Sequence, residues 1–163
     1  MMFKQPTRYC LVAGRAEGYS ALNAFDQALL EAGVGDTNLV RMSSILPPWC
    51  ERVGSIRLPY GALVPVAYAD MVSSTPGEVI SAAVAIGIPA DPNLPGLIME
   101  HHGVGTLVEV EAKVREMAVQ GMAYRNREIK DLVSIGIEHV VEAHGAAFAG
   151  VVLWDESERG PLT

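Results

Sequence analysis

Ser43 and Ser44 stand side by side at the end of a mostly apolar run, residues 38–42, and Ile45-Leu46-Pro47-Pro48 follows at once. A serine hydroxyl becomes a nucleophile when its surroundings activate it. Two consecutive prolines forbid both helix and central strand, so the chain has to turn away there. A serine pair alone reads as a polar turn, and Ser73-Ser74 is a second such pair. Two carboxylates adjoin apolar residues: Asp26 follows Phe25 in segment 21–32, and Glu100 closes the run Leu97-Ile98-Met99. Taken singly, each is most simply a solvated surface acid. His101-His102 invites a metal reading, but adjacent strand residues point to opposite faces and do not share an ion. His139 and His144 add no ligand spacing, so no metal is expected. Cys10 and Cys50 have neither metal spacing nor a disulfide-framework pattern, and read as two thiols in a reducing compartment.

The elements that must carry these residues follow from periodicity. Residues 9–13 form a short apolar run that predicts a strand stopped by Gly14, with 14–18 a loop. Ser20 is a helix N-cap, and Leu22, Phe25, Leu29 and Leu30 make an apolar stripe over 21–32 that stops at Gly33. Asp26 should lie at the edge of that stripe. Residues 33–36 read as a turn and 38–42 as a strand leading into the serine pair. A long exposed loop over 49–60 precedes a strand over 62–72. The segment 81–88, SAAVAIGI, lacks polar alternation and reads as a buried strand, with a helix as the alternative. Residues 97–100 are short and apolar. Residues 109–125 are the clearest helix, with Val114, Met117, Ala118, Gly121 and Met122 on one stripe. The stretch 132–154 suggests two or three closing strands, and the polar tail 155–163 is expected to fray. No repeat or linker interrupts residues 1–163, so one domain is expected. Strands and helices mix without a βαβ rhythm, which predicts α+β with a mainly antiparallel sheet.

Composition narrows the function classes. Half of the 163 residues are hydrophobic and 19% are charged, enough to bury a core. The formal charge of -7 argues against nucleic acid, which wants a basic face. No apolar run approaches a membrane span, and residues 1–10 hold no apolar core of signal-peptide length. A soluble, cytoplasmic protein is expected.

The serine pair gains meaning from its neighbours. The run Gly33-Val34-Gly35-Asp36-Thr37-Asn38-Leu39-Val40-Arg41-Met42-Ser43-Ser44-Ile45-Leu46-Pro47-Pro48 resembles the self-processing segment of pyruvoyl-dependent arginine decarboxylases. Further likeness lies in Asp26-Gln27-Ala28-Leu29-Leu30, Gly61-Ala62-Leu63-Val64-Pro65, Met99-Glu100-His101 and Phe148-Ala149-Gly150-Val151-Val152-Leu153-Trp154. The resemblance spans residues 9–154.

That resemblance implies a proenzyme that cuts itself between Ser43 and Ser44. The Ser44 hydroxyl would attack the Ser43 carbonyl carbon and turn the amide into an ester. β-Elimination would leave dehydroalanine at position 44, and hydrolysis would give a pyruvoyl group and ammonia. The chain would become a small fragment, 1–43, and a large one, 44–163. The attack needs a strained bond, for which the strand ending at Met42 and the Pro47-Pro48 corner are suitable clamps. It also needs a donor for the developing oxyanion, and Asn38 matches that position. The pyruvoyl would do the electron-sink work of pyridoxal phosphate with neither that cofactor nor a metal, and without a Schiff-base lysine. The chain has only Lys4, Lys113 and Lys130.

Glu100 matches the family's proton donor, a role that requires a raised pKa. Asp26 matches the residue that faces the guanidinium of L-arginine, Leu29 would cover the aliphatic stem, and Gly35 matches a pocket position where a side chain would collide. The implied reaction is arginine to agmatine and carbon dioxide, a carbon–carbon lyase step feeding polyamine synthesis. The implied fold is a four-layer αββα sandwich. The implied assembly is a trimer of cleaved protomers or a dimer of trimers, with active sites between neighbours. Two alternatives stay open: the same chemistry on ornithine or lysine, and an uncleaved, non-catalytic relative that binds small cations.

Overall fold

The computed structural model describes residues 4–155. Among them eleven elements follow in order: β1 (Arg8–Glu17), α1 (Ala21–Glu31), β2 (Asn38–Arg41), β3 (Ile45–Leu46), β4 (Glu51–Arg52), β5 (Leu63–Ser73), β6 (Val79–Pro89), β7 (Gly96–Val104), α2 (Leu107–Tyr124), β8 (Ile129–Val140) and β9 (Gly145–Leu153). The strands make two sheets. Sheet A has the order β2-β5-β9-β1-β4, and sheet B the order β3-β7-β6-β8. Only β1–β4 and β2–β5 pair in parallel. The expected α+β class with mainly antiparallel sheets is what the chain adopts.

Three apolar clusters set the layers. The largest lies between the sheets and includes Tyr9, Ala67, Ala69, Ile80, Val84, Ile98, Ala149 and Val151. A second joins α1 to the outer face of sheet A through Ala24, Ala28, Leu29 and Phe148. A third joins α2 to the outer face of sheet B through Ala83, Ala85, Val110, Val114 and Ala118. The order α1, sheet A, sheet B, α2 is the four-layer αββα sandwich. Strand β6 explains its own unbroken apolar sequence: Ile80, Ala82, Val84 and Ile86 face the other sheet, while Ala83 and Ala85 face the helix.

Three local expectations are corrected. Gly14 does not end β1, which runs on to Glu17. A Cβ at Gly14 would lie 2.1 Å from the Ala28 carbonyl oxygen, so this glycine lets α1 close onto the strand. Helix α1 begins after the Ser20 cap as expected, yet buries Ala24, Ala28 and Leu29 and leaves Leu22 75% exposed. Small residues let helix and sheet approach, and the large ones are displaced to the rim. Strand β7 continues through His101 and His102 to Val104, well past the short apolar run. Within the long loop 49–60 only β4 forms. The closing strands are two, and of the tail 155–163 only Asp155 lies among the described residues.

Candidate active site

The chain changes sheets at the serine pair. Strand β2 lies on the edge of sheet A with Arg41 opposite Val66, and the Met42 amide donates to the Val66 carbonyl at 3.1 Å. Strand β3 lies on the edge of sheet B with Ile45 opposite Leu97, and the Ile98 amide donates to the Ser44 carbonyl at 2.9 Å. Ser43 is therefore the single residue between the last anchor on one sheet and the first anchor on the other. Ser44 takes φ +99° to make the crossing. A residue with a Cβ rarely occupies that region, at a cost on the order of 1–3 kcal/mol. The clamp expected from β2 and Pro47-Pro48 is thus chiefly a pair of sheet anchors, and the strain falls on the residue whose hydroxyl sits next to the bond. The other serine pair differs: the Ser73 hydroxyl donates to Glu78 at 2.6 Å, and that of Ser74 lies 2.8 Å from His144 Nδ1.

Glu100 rises from the same strand that holds Ser44. It stands two residues after Ile98, and so shares the face that looks into the space between the sheets. Its Oε1 lies 3.6 Å from Arg41 Nη2, and its Oε2 is buried with no hydrogen-bond partner among the described residues. Arg41 in turn donates to the Tyr68 carbonyl at 2.6 Å and lies 4.3 Å over the Tyr68 ring. Burial pushes the Glu100 carboxyl above its ordinary range. Arg41 and His102 pull it back, Asp70 adds to the rise, and the Tyr68 amide exerts the smallest downward pull. The balance is a carboxyl that holds a proton more readily than a surface glutamate, as a proton donor must.

The other expected site residues lie elsewhere. Asp26 is exposed on α1, on the outer side of sheet A. Leu29 is buried beneath the same helix against that sheet. A Cβ at Gly35 would meet the Leu30 side chain at 2.6 Å, so within one chain this glycine makes room for α1 itself. Asn38 opens β2, where its Nδ2 donates to the Gly61 carbonyl at 3.0 Å. Five residues of extended chain separate it from Ser43, roughly 16 Å at strand rise. One chain therefore brings Ser44, Glu100, Arg41 and Tyr68 together, and holds Asp26, Leu29, Gly35 and Asn38 apart from them. Sequence reasoning missed Arg41 and Tyr68. Arg41 carried a signal, as the only charged residue in 38–42; Tyr68 carried none, because its role is set by what lies across from β5.

The remaining candidates separate as strand geometry requires. His101 is held below its ordinary pKa by burial and then by His102 and Lys113, the last on α2, whereas His102 acts on Glu100. Among the described residues no group of three or more His, Cys, Asp or Glu is placed to hold a metal. Cys10 and Cys50 are free thiols. Tyr9, beside Cys50, faces the inter-sheet core, so Cys10 faces outward. Burial, with Glu51, pushes the Cys50 thiol up to about 11. Among the described residues no helix is long and apolar enough to cross a membrane.

Comparison with known proteins bears on this site. The family model described as pyruvoyl-dependent arginine decarboxylase matches residues 8–158. A relative of that name from Methanocaldococcus jannaschii is 52% identical over 152 residues, covering 93% of this chain and 92% of its own length. Another from Methanococcus aeolicus is 47% identical over 152 residues, with the same two coverages. One from Pyrococcus abyssi is 38% identical over 157 residues, covering 94% of this chain and 99% of the relative.

Proposed function

This chain belongs to the pyruvoyl-dependent arginine decarboxylase family, and from that premise we propose that it cuts itself between Ser43 and Ser44 and decarboxylates L-arginine to agmatine and carbon dioxide. The observation that carries the reading is Ser44 itself: φ +99°, anchored between two sheets, and bonded to the strand that two residues later carries Glu100, whose Oε2 is buried and unpartnered among the described residues. Those features suit a group at position 44 that presents a carbonyl to Glu100. When present, the pyruvoyl group supplies an electron sink for the bond to carbon dioxide.

The chain's own residues do the rest. In processing, the Ser44 Oγ bonds to the Ser43 carbonyl carbon as the C–N bond breaks. Elimination then releases Ser43 as a carboxylate, and water replaces nitrogen at position 44, with ammonia leaving. Strain at Ser44 makes the starting amide less stable than an ordinary one, which favours the first step. In turnover, Glu100, whose burial strengthens its hold on a proton, delivers that proton to the substrate carbon that lost its carboxylate. Asp26 offers an exposed carboxylate to the guanidinium, a pairing that can use two parallel hydrogen bonds. Because Asp26 and Glu100 lie on opposite faces of sheet A, the substrate site is shared: one subunit offers Ser44 and Glu100, and its neighbour offers Asp26, Leu29, Gly35 and the Asn38 donor. A trimer of cleaved protomers, or two such trimers back to back, meets this requirement. Two free thiols agree with work in a reducing cytoplasm.

Intact mass under denaturing conditions tests the cut, and carbon dioxide release from arginine, ornithine and lysine tests the substrate. Two fragments with a borohydride-sensitive larger one, and release from arginine above the others, are expected. A single unbroken chain in the wild type, or preference for another amino acid, overturns the reading. Ser44→Ala should give one uncut, inactive chain.

A further inference from the structure

We infer that Arg41 is a positioning residue for the proton donor: pinned on Tyr68, its guanidinium faces Oε1 of Glu100 and leaves Oε2 as the oxygen that carries the proton. The inference rests on the role proposed above for Glu100.

The geometry distinguishes Arg41 from a salt-bridge partner. Its short bond, 2.6 Å, goes to the Tyr68 carbonyl, and its guanidinium lies 4.3 Å over the ring of the same residue. The contact to Glu100 is 3.6 Å, longer than an N–H···O hydrogen bond, and involves one oxygen. A bidentate fork would hold the carboxyl ionised and useless as an acid. A cation fixed to one side instead favours negative charge on the nearer oxygen, so the proton sits on the farther one. That farther oxygen is buried and unpartnered among the described residues. Other groups facing the carboxyl are few. Strand β5 brings Asp70, which opposes Arg41, and the Tyr68 amide, which acts weakly with Arg41; β7 brings His102, which also acts with it; β6 brings the apolar Val84 opposite Glu100. Of the three charged or titratable neighbours Arg41 exerts the largest pull.

A planar, weakly hydrated guanidinium can stack on Tyr68 while donating in its own plane, which an ammonium cannot do. Arg41 also sits on the fragment that ends at Ser43, whereas Tyr68 and Glu100 sit on the other. The proton donor is thus tuned across the proposed cut.

The test compares cleaved wild type with Arg41→Gln and Arg41→Lys. In Arg41→Gln the KM for arginine should stay within about threefold and kcat should fall about tenfold, as for a misplaced catalytic group. Activity falls as pH rises and Glu100 loses its proton; without the cation that limb should move to higher pH. Arg41→Lys, which keeps the charge, should return the limb toward the wild-type position. An unmoved limb in cleaved Arg41→Gln overturns the inference. If Arg41→Gln does not cleave, infrared titration of the Glu100 carboxyl decides, in uncut Ser44→Ala with and without Arg41→Gln, with Glu100→Gln identifying the band. A higher midpoint without Arg41 is expected, and equal midpoints overturn the role. Should the wild type neither cleave nor act on arginine, the proposed function fails by itself, and the infrared comparison still decides what Arg41 does.

Discussion

Glu100 is the residue whose chemistry depends most on its surroundings. Exchanging its carboxyl for an amide removes the proton without changing the shape. Glu100→Gln should therefore cleave normally and lose about 10²–10³-fold in kcat, the scale of general acid catalysis; single-turnover kinetics on cleaved protein checks this. Asp26→Asn should instead raise the KM for arginine about tenfold or more, with kcat less affected, because it removes a charged hydrogen-bond acceptor from binding. Steady-state kinetics separates the two effects. In the sequence both acids looked like surface groups, and the family resemblance alone singled them out. For Asp26 that surface character is real, since it is exposed on α1. For Glu100 it is not, because Tyr68 and Asp70 reach it from a strand some 30 residues earlier, a closeness that no local pattern encodes.

At the scale of elements, close approach decides more than hydrophobicity. Gly14→Ala would put a Cβ 2.1 Å from the Ala28 carbonyl oxygen and force α1 off β1. A loss of at least about 2 kcal/mol is expected from such overpacking, measurable as a lower urea midpoint. The hairpin of β8 and β9 is tied down differently. Glu17, at the end of β1, accepts from the amides of Glu142, Ala143 and His144 at 2.9–3.0 Å and pairs with His139 at 2.7 Å. Burial pulls this carboxyl up, but those bonds outweigh it and bring it from an ordinary 4.5 down to about 2. A lowered carboxylate stabilises the fold fully above its unfolded value and loses that contribution as pH falls toward its folded one. Glu17→Gln should thus be less stable than wild type at about pH 6, and the gap should close as pH falls from 4.5 toward 2, read from urea midpoints. Ser20 and Gly33 made the ends of α1 legible, and the run of valines and alanines did the same for β6. What stayed hidden was which side of α1 is inside, because two of its three buried positions are alanines and, of its leucines, only Leu29 lies inside while Leu22 and Leu30 lie outside.

For the whole molecule, the separation of Asp26 from Glu100 predicts complementation. Co-expressed Asp26→Asn and Glu100→Gln subunits, assayed at arginine well below KM where each alone turns over slowly, should recover roughly a quarter of wild-type sites, seen as a fraction with the wild-type KM, if neighbours associate at random in a closed ring. No recovery in verified mixed assemblies would place both acids in one subunit's site. The α+β class could be read from strands and helices mixed without a βαβ rhythm. The four layers came from resemblance alone, because layering depends on long-range pairing such as that of β1 with β9. That pairing has a consequence of its own. The proposed cut leaves β1, α1 and β2 on the short piece, so an entire outer layer and a strand bonded along its length to β9 belong to a separate molecule. Before processing, refolding is a one-chain event independent of dilution. Afterwards it becomes a second-order encounter, and the serine consumed in the cut cannot be restored. The mature form should therefore recover from denaturant more poorly the more dilute it is, and outlast heat by opening slowly instead of by reassembling.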